Sequence, residues 1–333
     1  MRIDVHAHLW TDEYLDLVAG YGKTDTGTQR GKGSGMGESE IEKRFALMDA
    51  SGIDMQILSV SPQVPHFADR SQAVTAARMA NDLYAEAVRR WPTRFAAFAA
   101  LPLPHIDAAL EELDRALGKL GMLGVTITNS ILGGSIANPA FDPIYEELNR
   151  RGTVLFVHPE GCGAYSPLIS EYDMTWMIGA PIEETIGILH LITHGIPMRY
   201  PRLKILNSHL GGALPMVLQR LDSQHVWEAP QTPELPSLAA RRMWYDTVSH
   251  GHGPAIRAAV DSLGSDRLVL GSDFPYHSGD LLYARNSGLK EGDIAKILDN
   301  NALTLFGHDV IQANTAPGCG QSVYPHANQE RQS

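Results

Sequence analysis

The stretch Ile3-Asp4-Val5-His6-Ala7-His8 opens the chain with a short apolar run that ends in two histidines. In a β-strand, residues two apart point to the same side, so the imidazoles of His6 and His8 face one point in space. Neutral imidazole is the commonest protein ligand for zinc and similar metals, so two converging imidazoles can begin a metal site. The same pair also occurs for structural reasons, and the rest of the chain decides between the two interpretations.

The rest of the chain alternates short apolar runs of strand length with longer segments of helical pattern. Strands that alternate with helices predict a parallel sheet with crossover connections. The predicted strands are residues 3–5, 55–60, 95–101, 124–128, 154–157, 204–207, 244–248 and 268–270. The predicted helices include residues 38–50, 73–90, 106–120, 143–150, 183–194, 214–224 and 254–263.

Two architectures share this alternation, a closed (β/α)8 barrel and an open doubly wound sheet. Eight repeats over about 300 residues suit the size of the barrel. An open nucleotide-binding sheet normally carries a G-x-G-x-x-G motif after an early strand, and none follows Val5. We therefore predict an α/β fold, a TIM barrel over residues 1–312, with its site at the C-terminal ends of the strands.

Two segments fall outside the alternation. Residues 21–37, rich in Gly, Thr and Lys, are predicted to form a long loop on the face of the barrel where active sites lie. The loop is interpreted as a lid or substrate contact, or alternatively as a flexible surface insertion. Residues 313–333, which have little apolar content, are predicted to be a flexible tail.

Composition and charge exclude several classes of function. Of the 333 residues, 44% are hydrophobic and 20% are charged, which is ordinary for a soluble globular protein. The formal net charge of −11, without a basic stripe, argues against nucleic-acid binding. No apolar run reaches membrane-spanning length, and no signal peptide is recognised before the first strand. Cys162 and Cys319 cannot form a disulfide framework, so a cytoplasmic location is predicted.

Further polar residues follow other predicted strands. His158 follows strand 154–157, His209 comes shortly after strand 204–207, and Asp273 comes shortly after strand 268–270. The C-terminal ends of barrel strands converge on one pocket, so these side chains are predicted to meet the two histidines of the first strand there. Each residue alone is explained by a structural role, but five of them in the same register predict a metal site.

The motifs around these residues resemble the amidohydrolase superfamily. They are Ile3-Asp4-Val5-His6-Ala7-His8, Val157-His158-Pro159, Ser208-His209-Leu210-Gly211-Gly212 and Gly271-Ser272-Asp273-Phe274-Pro275. More narrowly, they are similar to the branch that contains aminocarboxymuconate-semialdehyde decarboxylase and related aromatic-acid decarboxylases. The resemblance runs from the first strand to Asn300-Asn301-Ala302 and Leu305-Phe306.

The resemblance implies one divalent metal, held by His6, His8, His158 and Asp273, with His209 beside it as the acid/base group. Three imidazoles and one carboxylate suit a first-row metal, and we expect zinc first, with manganese as the alternative. Asp273 could ligate the metal, hydrogen-bond its bound water, or both. Binuclear members of the superfamily carry a carboxylated lysine at the end of the fourth strand, and strand 124–128 has no lysine.

The resemblance further implies a metal-dependent, non-oxidative decarboxylase that acts on a hydroxylated aromatic or unsaturated carboxylic acid. His209 would manage the proton that replaces the carboxylate. Arg220 resembles the position whose arginine reaches the neighbouring subunit's active site, which implies a homodimer or a dimer of dimers. Alternatively, Arg220 is a surface residue paired with Asp222 or Glu228. Arg30 is the only arginine in loop 21–37, and its surroundings match the family poorly.

Aromatic residues are the remaining candidates for substrate contacts. We predict that Trp10 and Phe274 contact the substrate, and the residues that could join them or pack elsewhere are Tyr165, Trp176 and Tyr276. His250 and His277 are interpreted as supporting or structural residues. Cys162 lies close to His158 but has no paired base in the sequence, so we interpret it as a small packing residue rather than a nucleophile.

Two other functions fit the same residues. The metal ligands could instead activate water to hydrolyse a lactone or an amide, or to hydrate an enol acid. A non-catalytic barrel that binds a small carboxylate is the second alternative, and the gathering of five polar groups argues against it.

Overall fold

The computed structural model describes residues 1–277, 281–307 and 311. Its main sheet has eight parallel strands, each beside its neighbour in sequence. In chain order they are β1 Ile3–His8, β2 Met55–Ser59, β3 Phe95–Ala100, β4 Gly124–Thr128, β5 Val154–His158, β6 Lys204–Asn207, β7 Trp244–Asp246 and β8 Leu268–Val269. A small antiparallel hairpin, Ser130–Ile131 with Gly134–Ser135, follows β4.

The eighth strand returns to the first. The backbone N–H of Val5 donates to the carbonyl of Leu270 at 2.9 Å, and Ala7 forms a parallel bridge with Phe274. These contacts bring the two edges of the sheet together, so a nearly closed barrel results. The predicted (β/α)8 TIM barrel is confirmed.

Helices separate the strands and cover the outside of the barrel. In chain order they are α1 Asp12–Gly20, α2 Glu38–Ser51, α3 Arg70–Arg90, α4 Ile106–Gly118, α5 Asp142–Arg151, α6 Pro167–Ser170, α7 Ala180–Thr193, α8 Ile196–Arg199, α9 Leu214–Glu228, α10 Pro236–Ala240, α11 Gly253–Leu263, α12 Glu291–Ala295 and α13 Asn301–Phe306.

Each of the seven helices predicted above is present, and α1 is the longest of the helices that the sequence analysis did not name. That helix begins after Thr11, whose hydroxyl accepts the backbone N–H of Tyr14 at 3.3 Å. Its buried residues, Tyr14, Leu15 and Val18, form one face because Val18 lies four positions after Tyr14 and three after Leu15. With nine residues, the helix is shorter than the window in which a helical period becomes clear.

An irregularity in β1 decides which residues reach the inside of the barrel. The pairing of β1 with β2 shifts register between Asp4 and Ala7, so strict alternation fails there. Val5 packs in the same buried cluster as Phe156, and the His6 ring lies 5.1 Å from the Phe156 ring. Adjacent residues therefore both reach the interior, which period-two alternation would place on opposite faces.

Strand β7 ends at Asp246, two residues before the predicted end. The Asp246 carboxylate accepts the backbone N–H of Val248 at 3.0 Å, which takes that donor out of the strand ladder. The other strand ends lie within three residues of their predicted positions. The C-terminal ends of the strands therefore form one rim, as the barrel geometry requires.

The predicted loop at residues 21–37 contains only the short 3-10 helix Thr26–Thr28. The predicted tail at residues 313–333, with Cys319, lies outside the described residues, so the domain boundary at residue 312 stays a prediction. Within residues 1–277, 281–307 and 311, none of the helices has both the length and the apolar character needed to cross a bilayer.

Candidate metal centre and acid–base site

A cavity of about 570 Å³ opens at the C-terminal rim of the barrel. Four of the five polar residues predicted to meet at the strand ends line it, namely His8, His158, His209 and Asp273. The rest of the wall is mainly apolar or neutral, and includes Trp176, Met177, Leu210, Val248 and Ser249. The cavity thus places a small polar cluster at the base of a largely apolar chamber, which is typical of small-molecule sites.

The cluster consists of His6, His8, His158 and Asp273. One ligand atom from each lies within 4.8 Å of the others, and all four residues are buried. Nε2 of His8 lies 3.1 Å from Nε2 of His6 and 3.1 Å from Oδ1 of Asp273. Nε2 of His6 lies 3.3 Å from the same carboxylate oxygen. Donor atoms at these separations can reach a single ion.

The other ring nitrogens of the three histidines explain why the Nε2 atoms face one another. Nδ1 of His6 donates to the Asp246 carboxylate at 2.6 Å, and Nδ1 of His158 donates to the Pro159 carbonyl at 2.9 Å. Nδ1 of His8 lies 3.4 Å from the Ser59 carbonyl. A proton on each Nδ1 leaves an Nε2 lone pair aimed into the cluster.

The donor set fits a bound divalent metal. Three imidazole lone pairs and a carboxylate that converge without a cation would repel one another, and a cation would satisfy them all. Three imidazoles and one carboxylate match the ligand types of zinc and its first-row neighbours. The assignment of these four residues as metal ligands stays a prediction.

Asp246 supports the cluster, and sequence reasoning missed it. Oδ2 accepts from Nδ1 of His6, while Oδ1 accepts the backbone N–H of His209 at 2.8 Å and that of Val248. The available signal was an acidic residue inside predicted strand 244–248, at the same end as the histidines. Burial lowers the pKa of His6, but the carboxylates of Asp246 and Asp273 outweigh it and the pKa rises to about 9. A metal bound at Nε2 must therefore displace a proton.

The net pKa shifts of the neighbouring histidines have the opposite sign to that of His6. Burial lowers the pKa of His8 to about 4, and burial with the nearby imidazoles holds the pKa of His158 well below its usual value. Both rings are therefore neutral near pH 7, which is the form that binds a metal.

His209 stands beside the cluster on a tight turn after β6. The turn has positive φ angles at His209 (45°) and Leu210 (60°). Nε2 of His209 lies 3.7 Å from Oδ2 of Asp273, and Nδ1 lies 2.5 Å from Oε1 of Glu184 on α7. Burial lowers the pKa of His209, but the two carboxylates outweigh it and hold the pKa well above its usual value. His209 is thus placed to carry a proton toward the cavity.

Glu184 was also missed by sequence reasoning. It lies inside a helix, in the pair Glu183-Glu184, where an acidic residue is usually a solvent-facing one. Only the packing of α7 against the turn after β6 brings its carboxylate to His209. No strand-end signal of the kind that located the histidines applies to it.

The predicted substrate contacts lie in different places. Trp10 is buried, stacks on His8 with ring centroids 5.0 Å apart, and donates its indole N–H to the Val60 carbonyl at 2.8 Å. Phe274 is buried beneath the Arg44 guanidinium, which lies 4.4 Å from its ring centroid. Neither is among the described residues that line the cavity. Their roles as substrate contacts stay predictions.

Neither predicted arginine faces the cavity of its own chain. Arg220 is exposed on α9 and is not among the described residues that line the cavity. In the part of the chain that the structure describes, it forms no ion pair, including with Asp222 or Glu228. Arg30 pairs with Asp16 at 2.7 Å. Residues Thr28 and Gln29 are the ones through which loop 21–37 reaches the cavity.

Among the other aromatic and histidine candidates, Trp176, Tyr276 and His250 line the cavity. The Tyr165 hydroxyl instead donates to the Glu160 carboxylate at 2.8 Å. His277 stacks on Phe274, with ring centroids 5.8 Å apart.

Comparison with known proteins places this architecture in a family. The sequence model of the amidohydrolase family matches residues 3–308. The chain belongs to the amidohydrolase family. The resemblance that the strand-end motifs carry is thereby confirmed.

Curated relatives in this amidohydrolase family include named decarboxylases. A gamma-resorcylate decarboxylase of Rhizobium sp. (strain MTP-10005) is 32% identical over 296 residues, which cover 80% of this chain and 87% of the relative. A 2-amino-3-carboxymuconate-6-semialdehyde decarboxylase of Dictyostelium discoideum is 28% identical over 278 residues, which cover 80% of this chain and 76% of the relative.

A solved structure shares the same fold. The crystal structure of dihydroxybenzoic acid decarboxylase from Polaromonas sp. JS666, with bound manganese and the inhibitor 2-nitroresorcinol, matches this amidohydrolase with a TM-score of 0.80 at 27% identity. The match covers 92% of this chain and 97% of the other.

Proposed function

We propose that this chain is a metal-dependent, non-oxidative decarboxylase, a carboxy-lyase of a hydroxylated aromatic or unsaturated carboxylic acid. The observation that carries the proposal is that His209, with a raised pKa, faces the same cavity as the cluster of His6, His8, His158 and Asp273. The proposal is supported by the family relatives named above, which are decarboxylases.

His209 is positioned to donate a proton to a substrate in the cavity. Nδ1 of His209 faces the Glu184 carboxylate, so the proton on Nε2 is the one directed toward the cavity and Asp273. In the proposed reaction this proton forms a C–H bond at the carbon that carries the carboxylate. The C–C bond to the carboxylate then breaks, its electron pair returns to the unsaturated system, and carbon dioxide leaves.

The wall of the cavity offers a mainly apolar surface to a substrate. Trp176, Met177, Leu210 and Val248 offer an apolar surface for a flat ring or a conjugated chain. Ser249 offers a neutral hydroxyl whose oxygen has no hydrogen-bond partner among the described residues, and it could bind a ring substituent. Such a wall favours a planar acid with its carboxylate turned toward the cluster.

A divalent metal, when bound, supplies a positive charge that anchors and polarises the oxygens of the substrate. The residues that would hold it are His6, His8, His158 and Asp273. The donor set suits zinc, and manganese is present in the related Polaromonas structure. Zinc and manganese are therefore the two metals that we propose, and elemental analysis of the purified protein distinguishes them.

The remaining proposals concern assembly and location. The exposed Arg220 on α9 is free to contact a second copy of the chain, in keeping with the proposed homodimer or dimer of dimers. A cytoplasmic location is likewise proposed from the sequence.

Mass-spectrometric product analysis tests the reaction. The protein, loaded with zinc or with manganese, is incubated with hydroxybenzoates, aminocarboxymuconate-type acids and lactones. We expect at least one acid to lose carbon dioxide, and the variant His209→Ala to retain metal and lose turnover. A product that has gained water, or carbon dioxide loss that persists in His209→Ala, would contradict the proposal.

A further inference from the structure

Glu184 is a buried carboxylate whose hydrogen bonds lead to the turn that carries His209. Its Oε1 accepts the Ser208 hydroxyl at 2.5 Å and Nδ1 of His209 at 2.5 Å. The residue is only 1% exposed. Among the described residues, Oε2 has no hydrogen-bond partner, and no lysine or arginine pairs with the carboxylate.

Hydrogen bonding alone does not explain a charged residue at this position. Burying a carboxylate that has no lysine or arginine partner is strongly unfavourable in a protein interior. A glutamine of the same shape could accept both hydrogen bonds through its amide oxygen with less desolvation. The described group that opposes the charge of Glu184 is the His209 imidazole.

The turn after β6 needs an external support because its backbone is strained. His209 and Leu210 both have positive φ angles, a region that residues with a side chain adopt at a cost. Helix α7 supplies the support at two consecutive residues: Glu184 holds His209, and the Thr185 hydroxyl accepts the backbone N–H of Ala213 at 2.9 Å.

We propose that Glu184 is a positioning residue for His209, which keeps a proton on Nδ1 and thereby directs Nε2 toward the cavity. A hydrogen bond to an ionised acceptor is shorter and stronger than one to a neutral acceptor, so the carboxylate fixes both the ring orientation and the tautomer. Nε2 then lies 3.7 Å from Oδ2 of Asp273. The inference rests on the proposed function, because it assigns His209 the proton transfer.

Two substitutions separate the charge of Glu184 from its shape. Glu184→Gln keeps the shape and removes the charge, and Glu184→Ala removes both. On the acid that the wild-type enzyme decarboxylates, we expect kcat to fall at least tenfold in Glu184→Gln and about a hundredfold in Glu184→Ala. KM should change less than threefold, and the content of zinc should not change.

The melting temperature distinguishes positioning from a merely structural role. Glu184→Gln removes the desolvation cost of the buried carboxylate together with its ion pair to His209, which can then lose its extra proton, so its Tm should stay close to that of the wild type. The matched control is Glu112→Gln, at a buried glutamate on α4 that pairs with Arg115 at 2.7 Å, away from the cavity. This control should lower Tm and leave kcat unchanged. A fall in Tm for Glu184→Gln with kcat within twofold of wild type would overturn the proposal.

A spectroscopic measurement tests the tautomer without any turnover. Long-range ¹H–¹⁵N correlation spectra of the zinc-loaded, ¹⁵N-histidine-labelled protein report which ring nitrogen carries the proton, and His209→Ala identifies the signals. We expect a protonated Nδ1 in the wild type and a mixture of tautomers in Glu184→Ala. An unprotonated Nδ1 in the wild type would refute the positioning role, whereas absent turnover with a protonated Nδ1 would refute the proposed function alone.

Discussion

Asp246 joins His6 to the turn that carries His209, because its Oδ2 lies 2.6 Å from Nδ1 of His6 while its Oδ1 accepts the backbone N–H of His209 at 2.8 Å. One buried carboxylate thus orients a predicted metal ligand and the predicted acid/base residue together. Three groups donate hydrogen bonds to this carboxylate, namely two backbone N–H groups and one imidazole N–H, and each of them needs an acceptor. Only a carboxylate has two oxygens that both accept hydrogen bonds, whereas an amide has one oxygen and one NH2 group that donates.

Asp246→Asn should therefore weaken metal binding. Wherever the new amide nitrogen points, it opposes either Nδ1 of His6 or the two backbone N–H groups. We expect a 10- to 100-fold lower zinc affinity, the usual effect of removing such an outer partner. Competition with a chromogenic chelator measures this loss.

The control for this substitution is Asp107→Asn, at a carboxylate that is 81% exposed on α4. It should leave zinc affinity unchanged. Zinc affinity within twofold of wild type in Asp246→Asn would show that the contact with His6 does not contribute to the site.

The contrast between the ligand cluster and its supports shows which features the sequence can predict. His8, His158 and Asp273 follow apolar runs directly or within a few residues, and in a barrel every strand end meets the same rim, so their convergence was predictable. Glu184 reaches the site through the packing of one helix against one turn, which leaves no periodic signal. The register shift in β1 was likewise hidden, because its cause is the pairing with β2.

The second prediction concerns a substitution at Gly212, because the turn that carries His209 leaves no room for a side chain at that position. Its φ is +65°, and a Cβ atom would lie 2.1 Å from the carbonyl oxygen of Pro181 at the start of α7. Gly212→Ala must displace backbone, so we expect a loss of more than about 3 kcal/mol in the free energy of unfolding. Chemical denaturation measures this loss of stability, and the m-value should be the same in the variant and the wild type.

Gly31 offers a matched control. Its φ is +68°, and a Cβ atom added there would have no neighbouring atom within 4 Å. Gly31→Ala therefore reports the cost of a positive φ angle without a steric contact, about 1 kcal/mol. Equal losses in the free energy of unfolding of the two variants would mean that the clash with Pro181 is relieved at no cost.

Cys162 should be unreactive at neutral pH. Burial, with the Glu183 and Glu160 carboxylates, raises the pKa of the thiol to about 12. At pH 8 only about one thiol in 10⁴ is then ionised, against roughly a quarter for an ordinary cysteine with a pKa near 8.5. At pH values well below the pKa, the thiolate fraction of Cys162 grows about tenfold per pH unit. Labelling should therefore accelerate about tenfold per pH unit between pH 8 and pH 10.

Iodoacetamide labelling followed by mass spectrometry measures this rate. The variant Cys319→Ser is used so that only Cys162 is counted. Labelling at pH 8 as fast as that of free cysteine would contradict the expectation and revive the interpretation of Cys162 as a nucleophile.

The charge of the cavity wall predicts the kind of acid that the enzyme prefers. No lysine or arginine is among the described residues that line it, and Arg30 is occupied by Asp16. A substrate with one carboxylate can turn it toward the metal cluster, but a second carboxylate would lose its hydration without gaining a cation. We expect kcat/KM to be at least tenfold higher for salicylate than for 4-hydroxyisophthalate, which differs by one added carboxylate.

The corresponding carboxamide, 5-carbamoylsalicylate, controls for size because it is neutral at the added group and has nearly the same shape. Its kcat/KM should lie close to that of salicylate if charge decides the preference, and close to that of 4-hydroxyisophthalate if bulk decides it. Efficient turnover of 4-hydroxyisophthalate that disappears in Arg220→Ala would overturn the expectation. That result would mean that Arg220 of a second subunit supplies the missing cation, because Arg220 does not reach the cavity of its own chain.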